Sequence, residues 1–493
     1  MASSDNLLIN SNHANTKKWR VFVFPYFARG HLIPMTDFAR LLSASHPDIE
    51  PTMVVTPGNT SFITSSLGKS NNGSTQQPVQ ILTYPFPSIG LKSNHETVGI
   101  GTSTESSTID QAFRMVRVGQ EQFLGQHKPD AVIVDAKFPW IATTAANLGI
   151  PCLFFLTSGV FPLVVCGYLS KMRAKLSLHD YVTISGLPGP EIRMPALELP
   201  GLVLPEEENY ARYVENTILK SWLNAFGIVV NTFHGLESEY CNHFEKTHAK
   251  RAYFVGPVSL SCKTDQDSIL GRGGKGNTDC LGWLDNKEER SVIFVSFGSQ
   301  CYFKPAQLHE LAIGLEESGQ KFLWVIRGDN ESEWMPEGWE ERIGDKGLVV
   351  RGWVPQVAIL AHAATGAFMT HCGWNSLLES TAAGVPMLTW PFAAEEFISE
   401  KLLVDMVGCA TRVWEGGKRS TRETENELVP RTVIARAVSR FMEPGGEYSS
   451  VHCKAREIKA VARSAMADGG SSTSDLSRLI NDLINAMQNK TCS

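Results

Sequence analysis

Apolar positions along this 493-residue chain fall into short uninterrupted runs separated by polar, helix-periodic stretches. The runs RVFVFPY (20–26), PTMVVTP (51–57), VQILTYPF (79–86), DAVIVD (130–135), PCLFFLT (151–157) and GIVVNTF (227–233) are rich in Val, Ile and Phe. A run that stays apolar instead of alternating suits a strand covered on both faces, so these predict a buried parallel sheet. Between several of them lie helical patterns, PMTDFARLLSAS (34–45) and PWIATTAANLG (139–149). Such βα alternation predicts an α/β, doubly wound sheet.

The alternation stops near YFVGPVSL (253–260), and the next segment, SCKTDQDSILGRGGKGNTD (261–279), is polar, Gly-rich and aperiodic, as an exposed linker would be. It then restarts with SVIFVSFGS (291–299), a helix at PAQLHELAIGLEESG (305–319) and strands at 321–326, 347–353, 365–371 and 385–391. The reading is two Rossmann-like domains facing a cleft, residues 1–256 and 280–465, joined by a linker at 257–279. In the tail, 466–493, Leu476, Leu479, Ile480, Leu483, Ile484 and Met487 share one helical face and predict a helix that packs back on the first domain. Two motifs in the linker are rejected. GRGGKG (271–276) has the spacing of a dinucleotide fingerprint without the strand and helix that make one work. DQD (265–267) offers carboxylates to a divalent ion without the fixed geometry that ligation needs.

Composition narrows the class. With 43% hydrophobic and 19% charged residues and a net charge of −6, the chain is globular and offers no basic surface for nucleic acid. Its first residues lack a secretory pattern, no stretch is apolar enough to span a membrane, and the ten Cys lack paired spacings. These features predict a cytoplasmic monomer with reduced thiols.

The chemistry concentrates in THCGWNSLLESTAAGVP (370–386), where a strand runs straight into a helix ended by Gly384. A sharp turn with Gly373 at a helix N-terminus presents unpaired N–H groups to an anion, and Asn375 and Ser376 add side-chain donors. A plainer reading makes Ser376 and Glu379 a capping box and His371 an ordinary edge histidine. Metal ligation by His371 and Cys372 is disfavoured, because neighbours at a strand end point to opposite sides.

The stretch from Trp353 to Glu396, with WVPQVAILAH, HCGWNS and PFAAEE, closely resembles the signature box of plant family 1 UDP-glycosyltransferases. FPYFARGHLIP, VDAKFPW, FVSFGS and GGSS extend the resemblance over most of the chain. It implies the GT-B fold, with a nucleotide sugar held mainly by the second domain and an acceptor by the first. It further implies that Trp353 stacks on uracil beside Val354, and that Gln356 and Glu379 bind the ribose. His371, Asn375, Ser376, the Gly373 backbone and Ser299 would hold the diphosphate without a metal. Trp374, Glu395 and Glu396 would meet the sugar, with Thr157 reaching over from the first domain. One position departs: the family usually carries Gln or His where this chain has Glu396. UDP-glucose is then the default donor, with UDP-xylose, UDP-galactose and others left open.

By the same resemblance His31 is the catalytic base and Asp135 its partner. His31 lies between the first strand and a helix predicted to begin near Pro34, where open α/β sheets bind ligands. A carboxylate on one ring nitrogen would orient the ring, as in a Ser-His-Asp triad. Taken alone, His31 could be a loop histidine and Asp135 a helix cap. Phe27, Phe138 and Trp140 are the expected acceptor-side residues, for a small apolar acceptor such as a flavonoid or other phenol; a terpenoid acceptor or attack by carbon stay open. A dinucleotide-dependent oxidoreductase on the same fold is the rival, but the first strand lacks the Gly-rich turn it needs. No cofactor is expected, the UDP-sugar being a co-substrate.

Overall fold

The computed structural model describes residues 17–67, 78–87, 96–97, 103–173, 181–204, 212–261, 279–299, 301, 303–326 and 333–491. In chain order the first half contributes strands β1 (Trp19–Phe24), β2 (Ile49–Val55), β3 (Gln80–Thr83), β4 (Ala131–Asp135) and β5 (Cys152–Leu156). An antiparallel hairpin follows, β6 (Tyr181–Ile184) and β7 (Ile192–Pro195), then β8 (Gly227–Val230) and β9 (Ala252–Phe254). The second half adds β10 (Val292–Ser296), β11 (Lys321–Ile326), β12 (Gly347–Arg351), β13 (Thr365–Thr370), β14 (Met387–Thr389) and β15 (Ala410–Arg412).

Two parallel sheets result, ordered β3-β2-β1-β4-β5-β8-β9 and β12-β11-β10-β13-β14-β15. Their central strands are fully buried, which is why they read as unbroken apolar runs. In each sheet the winding direction reverses once, between β1 and β4 and between β10 and β13. At such a reversal the following connections diverge to opposite faces and leave a crevice at the carboxyl ends of the strands. Each domain therefore brings one crevice to the cleft.

The helix after β1 spans Arg29–Ser45 and contains Pro34, so it begins one turn earlier than a proline at its first position would have it. Pro34 has no N–H to give the Gly30 carbonyl one turn back. Asn375 Nδ2, from the other domain, donates to that carbonyl instead. The hairpin and β15 were not foreseen: Ile192–Pro195 sits inside a Pro-rich stretch, and β15 has only three residues, too few for a period.

The helix Ser471–Thr491 lays Leu476, Leu479, Ile480, Leu483 and Met487 into the core behind β1 and β2. Each such burial stabilises by about 1.5–3 kcal/mol. It also covers the edge strand: Phe254 N–H donates to Asp475 Oδ2 (2.8 Å) and Tyr253 O–H to Asp482 Oδ2 (2.7 Å). A short 3₁₀ turn, Val258–Ser261, starts the expected linker; the two rejected motifs, 265–267 and 271–276, lie outside the described residues. Among the described residues no helix is long and apolar enough to cross a membrane.

Candidate active site

The first domain's crevice is built at the ends of β1 and β4, which pair in register up to Phe24 and Val134. The chain leaving β1 enters the helix at Arg29 and places His31 in its first turn. Asp135 is the last residue of β4 and is 1% exposed. His31 Nδ1 donates to Asp135 Oδ2 at 2.7 Å, and Thr157 Oγ1, just past β5, lies 3.3 Å from the same nitrogen. The other carboxylate oxygen accepts the Lys137 N–H at 2.9 Å. Asp135 thus shapes its turn with one oxygen and holds the imidazole with the other, while the following helix takes Phe138 as its N-cap. With Nδ1 occupied, Nε2 is the ring nitrogen available to an incoming hydroxyl. The Tyr26 ring meets the imidazole edge-on at 5.2 Å and restricts its tilt.

The second domain's crevice lies past β10 and β13, paired up to Ser296 and Thr370. The helix Trp374–Ala383 starts there with Gly373 as N-cap and no side-chain cap, and ends on Gly384 at φ 74°. The capping-box reading is thereby excluded. Ser376 and Glu379 both receive the Gln356 amide instead, at 3.0 and 2.8 Å, so ribose-binding candidates are already aligned by one another. His371 is wedged between two glycines: a Cβ on Gly373 would lie 2.4 Å from its Nε2, and one on Gly298 2.5 Å from its Cε1. Only residues without a side chain let this ring approach both loops. Cys372 and Ala394 hold φ of 70° and 50°, a conformation non-glycine residues avoid, and both flank the site.

All the catalytic and donor residues expected above line one cleft of about 730 Å³ between the domains. Two are also tied across it. Trp374 Nε1 donates to the Asn231 carbonyl at 2.8 Å, so its N–H is already used by the first domain, and Asn375 holds Gly30 as described. Glu396 accepts N–H groups from Phe392 (2.8 Å) and Ala393 (2.9 Å) on Oε2. Burial pushes its carboxyl up to about 8, against those two hydrogen bonds, and neighbouring Glu395 adds to the rise. A neutral acid at pH 7 can donate a hydrogen bond, as the Gln or His that the resemblance leads one to expect here would.

The acceptor-side expectations need correction. Phe27 and Phe138 are 1% and 0% exposed and sit inside an aromatic cluster with Phe113. Trp140 packs against the same cluster and spends its indole N–H on Gln120 Oε1 at 2.8 Å. None of the three lines the cleft; Tyr26, Leu156, Leu163, Cys166 and Trp222 do. Aromatic residues near a strand end are more often core than wall, and only the three-dimensional packing separates the two. Arg29 was also missed. Its guanidinium lies 3.3 Å over the Phe62 ring and 5.6 Å from the centre of the Trp353 ring, supporting the surface on which a base could stack. Cys372, the thiol beside His371 in sequence, is buried with Sγ toward the Thr370 carbonyl (3.8 Å). Cys301 instead brings its thiol to His371 and Glu396, the three donor atoms lying within 4.8 Å of one another.

A family model described as UDP-glucoronosyl and UDP-glucosyl transferase matches residues 277–426. The anthocyanin 3'-O-beta-glucosyltransferase of Gentiana triflora is 36% identical over 480 residues, covering 94% of this chain and 98% of that one. The UDP-glucose flavonoid 3-O-glucosyltransferase 7 of Fragaria ananassa is 37% identical over 481 residues, covering 94% and 96%. Among solved structures, Glycyrrhiza uralensis UGT73P12 complexed with glycyrrhetinic acid 3-O-monoglucuronide superposes with a TM-score of 0.88 at 31% identity, covering 96% and 97%. The two-domain architecture is GT-B.

Proposed function

The chain belongs to the plant family 1 UDP-glycosyltransferases, enzymes that move a sugar from a UDP-sugar to a small plant metabolite, and on that premise we propose that it glucosylates a phenolic hydroxyl with inversion and without a metal. One observation carries this reading: the His31–Asp135 pair, 2.7 Å apart, shares a single cleft with the Gly373 helix end. Glucose and a flavonoid-like acceptor are supported by the names of the two relatives, both glucosyltransferases of such compounds. The wall beside His31, with Tyr26, Leu156, Leu163 and Trp222, suits a flat apolar acceptor.

In this reading Trp353 stacks on uracil, Gln356 and Glu379 take the ribose, and His371, Ser376, Ser299 and the Gly373 N–H take the diphosphate. Asn375 joins them on releasing Gly30. Glu395 and Glu396 position the sugar. Nε2 of His31 takes the proton of the acceptor hydroxyl as its oxygen attacks the anomeric carbon from the face opposite UDP. The bond to the diphosphate breaks, the configuration inverts, and UDP leaves as an anion on a helix N-terminus. Asp135 stabilises the imidazolium until its proton passes to solvent. We place the enzyme in the cytoplasm as a monomer: its buried thiols, Cys152, Cys241, Cys280, Cys372 and Cys409, suit a reducing compartment, and one chain supplies both walls.

The test incubates the protein with UDP-glucose, UDP-xylose and UDP-galactose, a phenol mixture and excess EDTA, and reads product masses. Hexose addition to a phenol, fastest from UDP-glucose and indifferent to EDTA, is the expected result. A pentose product, an acid-stable C-glycoside or a requirement for metal would each overturn the corresponding part of the proposal.

A further inference from the structure

We propose that Cys301, His371 and Glu396 form a binding site for a soft divalent cation such as Zn²⁺, and that occupying it shuts the donor half of the cleft. The three residues come from separate segments: the loop after β10, the end of β13 and the start of the helix Glu396–Lys401. They offer one thiol, one imidazole and one carboxylate, with ligand atoms within 4.8 Å of one another and each residue partly exposed. His371 Nε2 and Glu396 Oε1 are 3.9 Å apart. Tetrahedral zinc, with bonds of about 2.0–2.3 Å, needs ligand atoms roughly 3.3–3.8 Å apart, so small side-chain rotations close the set.

The surroundings favour these rotations converging. His371 is confined by the glycines at 298 and 373. Glu396 Oε2 is fixed by two backbone N–H groups, which leaves Oε1 to turn toward the ion. Sulfur, nitrogen and one oxygen select zinc over magnesium or calcium, which prefer all-oxygen shells. Three protein ligands leave a fourth position for water or a phosphate oxygen. Because His371 and Glu396 are residues we assign to the diphosphate and the sugar, a bound ion would compete with the nucleotide sugar. That last point rests on the proposed donor site; the metal site itself does not.

Two measurements on the intact chain decide it, using Cys301→Ser as the variant, since Cys301 lies outside the cleft lining and its loss should leave transfer unchanged. Cobalt titration of the wild type should give a thiolate-to-metal charge-transfer band that is absent in the variant and reversed by zinc. Zinc should inhibit transfer competitively with UDP-glucose, and the variant should need at least about tenfold more for half-inhibition. Absence of the band, or equal zinc sensitivity of the two proteins, overturns the site. A band that forms without competition against UDP-glucose keeps the metal site and removes the donor assignment.

Discussion

The two walls of the cleft are made in different ways. On the second domain, Trp353 to Glu396 supplies almost every group proposed for the donor, and these groups are pre-aligned by short contacts: Gln356 with Ser376 and Glu379, His371 between two glycines, Glu396 on its own loop. On the first domain the groups proposed to act are His31, Asp135 and Thr157, brought together from strands far apart in the chain, with Tyr26, Leu156, Leu163 and Trp222 in the same wall. The contrast follows the task. A nucleotide diphosphate needs many fixed donors in one small space, whereas deprotonating a hydroxyl needs one oriented base and room for a variable substrate.

Breaking the first wall should have the largest effect. His31→Ala should lower kcat by about 10²–10⁴-fold, the usual worth of a general base, while calorimetry shows UDP binding unchanged. A loss of UDP affinity in that variant would mean the walls are not separable. On the second wall, Gly373→Ala forces a methyl against His371, and overpacking costs about 1–3 kcal/mol. The donor KM should therefore rise roughly ten- to hundred-fold, with the acceptor KM little changed. Trp353→Ala should raise the donor KM again, by roughly tenfold, if stacking on the base is worth about 1–3 kcal/mol. Equal rises in both KM values would contradict that division.

The smallest effect concerns the scaffold behind Thr157. Glu237, 3% exposed, accepts the N–H groups of Val160 (3.1 Å) and Phe161 (2.6 Å) and the Thr232 hydroxyl, fixing the helix that follows Thr157. Burial pushes its carboxyl from 4.5 up to about 7, against those hydrogen bonds. The fold thus favours the protonated acid: its contribution is full below 4.5 and is lost as pH rises through about 7. Melting temperature should fall over that interval in the wild type and fall less in Glu237→Gln. Identical slopes would remove Glu237 from the account.

What could be read without coordinates differs between the walls in the same way. The donor wall is contiguous, so its turn, helix and glycine cap were visible in THCGWNSLLESTAAG, and the buried strands announced themselves as apolar runs. His31 and Asp135 were nameable only through resemblance, because nothing local in ARGHLIP or AVIVD distinguishes a base from a loop histidine. The apolar acceptor wall was not legible, since Phe27 differs from Tyr26 only in which way the chain turns after β1, and Phe138, after β4, packs into the same buried aromatic cluster as Phe27. Arg29 and Cys301 were invisible for a related reason: each meets rings or donor atoms brought close by other segments. The helix start is not legible from Pro34, because a carbonyl freed inside a helix can be satisfied from outside it.

The terminal helix gives the molecule an unusual construction sequence. The Ser472 hydroxyl donates to the Gly256 carbonyl at 2.6 Å, so the chain's exit from the first domain and its return meet at one point. The apolar stripe from Leu476 to Met487 seals the back of the sheet that the ribosome delivers earliest. The half translated first is therefore finished last, and removing residues 471–491 would leave an open hydrophobic trough in a domain almost the whole chain away.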